Sequence, residues 1–334
     1  LREGKVKTVK PRVFVSRNIP DKGLDLMKEK VSLEVWPGEF NPGRNVFLEK
    51  AAACDGLVVI PGDPIDRDVL AAGKSLKIVS CYAVGYDSID VNAATELGIM
   101  VTNTPDVLTD ATADLAFGLL LAAARRIGEG DRLIRSGEWK HWGPRFMLGQ
   151  DVSGATLGLV GMGRIGQAVN RRAKAFGMNI VYFARHRNET AEKETGARYM
   201  EMEALLAVSD FVSIHCPLTP STEGLIGERQ LRAMKPASIL INTSRGRVVV
   251  EEELVRALRE GCILGAGLDV FENEPLPAGH PFLELENVIL CPHLGSATVQ
   301  TREKMSVMAA ENLIEALDGH APRFLVNPAV LRKA

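Results

Sequence analysis

From Arg12 onward, short runs rich in Val and Ile alternate with segments of helical pattern, and this rhythm confines the chain to parallel sheets flanked by helices. A first series of strands is predicted at Arg12–Arg17, Gly56–Ile60, Leu76–Ser80 and Ile99–Thr102, with helical segments such as Asp66–Ala72 and Val91–Leu97 between them. A second series runs through Thr156–Val160, Ile180–Phe183, Phe211–Ile214, Ser238–Asn242, Leu264–Leu268 and Val288–Leu290. The fold class is therefore α/β with two doubly wound parallel sheets. A length of 334 residues fits two domains of about 150 residues each. Turn signals at Asn103-Thr-Pro105 and Cys291-Pro292 bracket the second series, and a last helix, Ala297 to Leu317, follows it. This arrangement predicts a discontinuous domain of residues 1–104 and 292–334, interrupted by a domain of residues 105–291. Periodicity alone equally permits a simple split near Asp151.

Composition narrows the partners. Apolar residues make up 46% of the chain and charged residues 25%, and a formal charge of −2 supplies no field for nucleic acid or for an anionic membrane. Cys54, Cys81, Cys216, Cys262 and Cys291 are odd in number, form no CxxC pair and sit in apolar contexts, which predicts reduced core thiols. The basic start, Leu1 to Lys10, is not followed by an apolar run with a cleavage site, so no secretion is expected and the cytoplasm is the predicted location. The most apolar stretch, Ala111–Ala124, contains Asp114 and falls short of the ~20 residues a spanning helix requires, which predicts a buried helix. Nothing marks a metal site.

The segment Thr156-Leu-Gly-Leu-Val-Gly161-Met-Gly163-Arg164-Ile165-Gly166 places GxGxxG between a predicted strand and a predicted helix. In that context Gly161 permits a tight turn, Gly163 lets a pyrophosphate approach the backbone and Gly166 allows close packing of helix on strand, with the helix amino terminus facing the phosphates. A dinucleotide is the expected cofactor. About twenty residues on, a fold selective for NAD places an acid on the ribose hydroxyls. Here the second strand ends in Ala184-Arg185-His186-Arg187, with no acid before Glu189. Arg185 and Arg187 are suited to a 2′-phosphate, which predicts NADP(H) ahead of NAD(H).

Three more segments fall at the carboxyl ends of predicted strands, where parallel α/β sheets bind ligands: Asn242-Thr-Ser-Arg245-Gly246, Leu268-Asp269-Val-Phe-Glu-Asn-Glu274-Pro275 and Pro292-His293-Leu-Gly295-Ser296. Together with Val84-Gly85-Tyr-Asp87, Asn103-Thr-Pro105 and Thr109-Asp-Ala-Thr-Ala-Asp114, in this order and spacing, they make the chain resemble the D-isomer-specific 2-hydroxyacid dehydrogenase family, and within it the glyoxylate/hydroxypyruvate reductases. The likeness covers Gly56 to about Gly319. It implies a Rossmann-type cofactor domain inserted into a flavodoxin-like substrate domain, with a cleft between them.

Reducing a 2-keto acid requires a cation for the substrate carboxylate and an acid near neutral pH. Arg245 meets the first need, because guanidinium is always charged and binds carboxylate bidentately. His293 meets the second. Glu274 beside His293 would favour its protonated form and fix its orientation, although Glu272 lies only two residues away. The resemblance implies the same three residues. It further implies cofactor contacts at Arg164, Ile165, Thr243, Asp269 and Gly295, backbone contacts to the substrate carboxylate at Val84 and Gly85, and a substrate contact at Trp142. It also points to a homodimer, for which the apolar helix Asp114–Ala124 and the tryptophan-bearing segment after it are the expected surface. The expected activity is reduction of glyoxylate or hydroxypyruvate. 3-Phosphoglycerate dehydrogenase, formate dehydrogenase and a cofactor-sensing corepressor remain as readings of the same motifs.

Overall fold

The computed structural model describes residues 9–332. The basic stretch of residues 1–8, on which the reading of the amino terminus falls, lies outside them. The chain divides into two units, one ending at Leu108 and resuming at Thr298, the other running from Thr109 to Ala297.

The first unit comprises β1 (Arg12–Val15), α1 (Asp21–Lys30), β2 (Ser32–Val35), α2 (Arg44–Ala53), β3 (Gly56–Val59), α3 (Arg67–Ala72), β4 (Ile78–Cys81), α4 (Val91–Glu96) and β5 (Met100–Thr102). Its strands pair in the order β2-β1-β3-β4-β5, and every pairing between them is parallel. β3 and β4 are buried along their whole length, as strands covered on both faces must be. On one face Phe14, Leu57, Val59 and Val79 pack against Phe47 and Ala51 of α2 and Val69 and Leu70 of α3. β2 was not among the predicted strands. It is an edge strand with exposed Ser32 and Glu34, so it carries none of the continuous apolar signal of its neighbours.

The second unit contains α5 (Thr109–Ala124), α6 (Ile127–Arg135), β6 (Thr156–Val160), α7 (Arg164–Ala175), β7 (Asn179–Phe183), α8 (Glu189–Thr195), β8 (Arg198–Tyr199), α9 (Met202–Val208), β9 (Phe211–Ile214), α10 (Glu228–Ala233), β10 (Ile239–Asn242), α11 (Glu251–Arg259), β11 (Gly265–Leu268) and β12 (Val288–Leu290). The strands pair as β12-β11-β10-β9-β6-β7-β8, again all parallel. Successive side chains point to opposite faces of a strand. Leu157 and Leu159 accordingly join one core, with Ile180, Tyr182 and Ile241, while Val160 joins the other, with Val181, Ile214 and Leu240. Of the strands named here, only two-residue β8 was missing from the sequence reading. After this unit the chain returns to the first through α12 (Val299–Leu317), which packs on α1 and β4.

The apolar stretch Ala111–Ala124 is buried as a helix on its own sheet: Ala113, Ala116, Phe117, Leu119 and Leu120 join the core of that unit, while Leu115, Leu121, Ala122 and Ala123 are half-buried. One expectation needs correction. The five cysteines are all free, yet only Cys54 and Cys81 are buried, while Cys216, Cys262 and Cys291 are half-buried. Among the described residues no helix is long and apolar enough to cross a membrane, and no group of three or more His, Cys, Asp or Glu side chains is placed to hold a metal ion.

Candidate active site at the carboxyl edge of the second sheet

The glycine loop follows β6 directly. Gly161 has φ of 106°, which side chains rarely tolerate, and a Cβ there would press on the His215–Cys216 peptide. Gly163 is the opposite case: a Cβ built on it meets nothing within 4 Å, so the backbone is open toward a ligand. Gly163 caps α7 without a side-chain hydrogen bond, leaving the first amides of the helix available. Arg164 and Ile165 begin this helix, and Gly166 is buried in its first turn. Nearby in sequence to the candidate Arg245, Thr243 is buried with no partner for its hydroxyl among the described residues. A dinucleotide suits these features: an open amide cradle for its phosphates and an unsatisfied hydroxyl for a polar group.

The loops after β10, β11 and β12 are tied together by Asp269. Its backbone amide donates to Asn242 O at 2.9 Å, and its carbonyl accepts from the His293 amide at 2.9 Å. Its carboxylate accepts the amides of Leu294 at 2.6 Å and of Gly295 at 2.8 Å. Burial raises the Asp269 carboxyl above its ordinary range, while those amides and the His293 charge oppose the shift. The same contacts secure His293, whose φ of 54° lies in the left-handed region.

His293 Nδ1 stands 2.6 Å from Glu274 Oε2. The other carboxylate oxygen, Glu274 Oε1, accepts the Phe271 amide at 3.0 Å. Burial pushes the Glu274 carboxyl upward, but the hydrogen bond and charge of His293, the Phe271 amide and the Arg245 charge together hold it below the usual range. Glu272 is turned elsewhere: its carboxylate accepts the amide of Glu251 at 3.1 Å, at the first residue of α11. Geometry thus separates the two acids that spacing could not. Arg245 is half-buried in extended backbone; its Nη1 donates to Ser244 O at 2.8 Å, and its carbonyl accepts Asn242 Nδ2 at 2.9 Å.

This arrangement coincides with a match, over residues 117–295, to the family described as D-isomer specific 2-hydroxyacid dehydrogenase, NAD binding domain. The chain is also 55% identical to the glyoxylate reductase of Korarchaeum cryptofilum, over 97% of this chain and 98% of that one. The chain belongs to the D-isomer-specific 2-hydroxyacid dehydrogenase family. Among solved structures, this dehydrogenase is similar to a Thermus thermophilus protein with a TM-score of 0.88 and 48% identity, covering 94% of this chain and 99% of that one. It also resembles the NADPH-dependent glyoxylate/hydroxypyruvate reductase of Sinorhizobium meliloti in complex with NADP and malonate. There the TM-score is 0.84 and the identity 35%, covering 96% of this chain and 98% of that one.

Other residues singled out in the dehydrogenase's sequence lie on other segments. Arg185 and Arg187 follow β7 and are both exposed. Arg187 pairs with Glu192 at 2.8 Å and lies over the Tyr199 ring, whereas Arg185 has no hydrogen bond or ion pair among the described residues. Asn188 links this loop to the glycine loop, its Nδ2 donating to Met162 O at 3.1 Å. Trp142 is 77% exposed in the segment after α6. Val84 and Gly85 follow β4 in the first unit, half-buried, with Val84 O accepting Asn103 Nδ2 at 2.8 Å.

Sequence reasoning overlooked His215, which sits in the loop after β9 behind the glycine turn. Its amide donates to Val160 O at 2.7 Å, and its Nε2 is 2.8 Å from Ser213 Oγ. No motif marked it, because the contact that matters is with backbone from a neighbouring strand. Burial lowers its pKa from 6.5 to about 4. The folded state therefore binds this proton less well than the unfolded chain does. Stability associated with His215 is complete above pH 6.5 and is lost as pH falls toward 4, a total on the order of 1–3 kcal/mol. Chemical denaturation of the parent and of His215→Gln across this window should show a shallower acid-side decline in the variant. Parallel declines would assign the acid sensitivity to other groups.

Proposed function

We propose that this dehydrogenase reduces glyoxylate, and the related keto acid hydroxypyruvate, to the corresponding 2-hydroxy acids with a nicotinamide cofactor. The observation that carries the reading is the state of His293. Nδ1 is committed to Glu274, while Nε2 has no hydrogen-bond partner among the described residues and is left for a substrate oxygen. The reduced nicotinamide, when bound, supplies the hydride that adds to the carbonyl carbon. His293 Nε2–H donates the proton that the carbonyl oxygen takes up as its π bond breaks. Glu274 orients the ring and offsets the positive charge on it before transfer. Arg245 pairs with the substrate carboxylate, holding the carbonyl in register. The glycine loop and the first turn of α7 (Gly161, Gly163, Arg164, Ile165, Gly166) hold the pyrophosphate, and Thr243, Asp269 and Gly295 line the nicotinamide side.

Removal of the proton donor should cost ~10²–10⁴-fold in turnover. Purified His293→Ala is expected to lose glyoxylate reduction by that factor while still binding cofactor in a fluorescence titration. Near-normal kcat/KM in that variant would take His293 out of the mechanism.

The cofactor preference is proposed to favour NADPH, with Arg185 as the reader of the 2′-phosphate. Arg185 is exposed and uncommitted, and no acid stands beside it at the strand end to repel a phosphate. Arg187 is the weaker candidate because Glu192 already neutralises it. A guanidinium–phosphate contact of this kind is worth ~1.5–3 kcal/mol, roughly ten- to a hundredfold in relative affinity. Comparison of kcat/KM for NADPH and NADH should show that preference in the parent and its loss in Arg185→Asp. An unchanged ratio in the variant would release Arg185 from this role.

The enzyme is further proposed to act in the cytoplasm as a homodimer. Beside the half-buried Leu115, Leu121 and Ala122 of α5, α6 and the segment after it offer surface for pairing. Ile127 and Ile134 on the helix, then Trp139, Trp142 and Leu148, are each more than half exposed. Equilibrium sedimentation should give about twice the 36.2 kDa chain mass, and a charged residue at Ile134 should weaken the association. A monomer at working concentration would remove both the dimer and any role for Trp142 in a neighbouring subunit.

A further inference from the structure

Behind the loop that carries Glu274 lies a second pair of acids with no part in the chemistry above. Glu251 is the first residue of α11 and is only 7% exposed. Its Oε1 accepts the Glu272 amide at 2.7 Å, and the Glu272 carboxylate accepts the Glu251 amide at 3.1 Å. Each carboxylate therefore satisfies the other's backbone. His280 completes the cluster: its Nδ1 accepts the Phe282 amide at 3.3 Å, so its Nε2 carries the hydrogen that faces Glu251 Oε2, 3.3 Å away.

The peptide held in this way is the Phe271–Glu272 bond. Gly246 stands against the same peptide: a Cβ there would overlap the Phe271 carbonyl and the Glu272 nitrogen, so the turn after Arg245 rests directly on it. The Phe271 amide, in the peptide just before it, donates to Glu274 Oε1. Two successive peptides joined at Phe271 thus meet the Arg245 turn and anchor the Glu274 carboxylate.

We propose that Glu251 is a positioning residue for reduction, holding the Phe271–Glu272 peptide so that Glu274 stays in hydrogen-bond register with His293. It touches neither substrate nor cofactor. A charge-assisted bond to a backbone amide is stronger than a neutral one, and a buried carboxylate has few other places to go. Burial and the neighbouring Glu272 raise the Glu251 carboxyl, opposed by the Glu272 amide and His280, so its hydrogen bonds are what keep the acid in place. The groups facing the His293–Glu274 pair are Asp269 and Arg245, and those facing Glu251 are Glu272 and His280. None of the four is altered in the variants below.

The inference rests on the reading of His293 and Glu274 as the acid and its support, and its test is separable from that reading. The Nδ1–H···Oε2 bond of the pair should give a far-downfield proton resonance in the parent enzyme, identified by its absence in Glu274→Gln. Glu251→Ala, and Glu251→Asp, whose shorter side chain stops short of the Glu272 amide, should lose or broaden this resonance and reduce kcat for glyoxylate about tenfold. Glu251→Gln keeps an acceptor for the Glu272 amide, with its NH2 group facing the His280 Nε2–H, and should recover part of both. Thermal unfolding of each variant separates loss of position from loss of fold. A resonance unchanged in a folded Glu251→Ala or Glu251→Asp, or lost equally in Glu251→Gln, would overturn the proposal. Because the resonance is read without substrate, a parent that fails to reduce glyoxylate would count against the functional reading alone.

Discussion

The buried carboxylate of Asp269 is the interaction around which the site is organised. Desolvating a carboxylate at the end of a buried strand is costly unless its oxygens are used, and here the Leu294 and Gly295 amides of one loop use both, while the Asp269 backbone bonds Asn242 O and the His293 amide. The cost and the return occur in the same place. Leu294 and Gly295 can donate together only if the chain reverses sharply at His293, and the left-handed backbone there is the form this reversal takes. A parallel sheet makes the convergence possible, since β10, β11 and β12 all end at one edge.

From that anchor the remaining parts follow as a hierarchy of supports. Asp269 fixes the backbone of His293, Glu274 fixes its ring, and the Phe271 amide fixes Glu274. Glu251 and Gly246 both bear on the peptide after Phe271. Most of these links are hydrogen bonds to backbone, which suits groups that must hold direction rather than merely proximity. The glycine loop is arranged on a different principle. It is shaped by what is missing, a Cβ at Gly161 that would collide and an open face at Gly163 that admits a ligand.

Much of the fold was legible because buried parallel strands leave an unbroken apolar signature. β6, β9 and β12 fall where the Val/Ile runs place them, and the helices between them follow from the crossover that parallel pairing demands. The signature fails where burial fails: β2 is half-exposed with Ser32 and Glu34 outward, and β8 has only two residues. High apolar content alone does not say which side chains the sheet covers: of α5, Ala113, Ala116, Phe117, Leu119 and Leu120 enter the core while Leu115, Leu121 and Ala122 stay half-buried.

For the site, the chain alone determined the residue types and their order: a strand-to-helix glycine motif, an arginine pair in place of the usual acid, and Arg245, Glu274 and His293 at strand ends. Those features are local, and their chemistry is carried by the side chains themselves. Only the tertiary structure showed Glu274 against His293 and Glu272 against Glu251, committed Arg187 to Glu192 while leaving Arg185 open, and set His215 behind the glycine turn. The physical reason is common to all of them. Each depends on which backbone amide or charge from a distant segment meets the side chain, and sequence spacing holds no information about that direction.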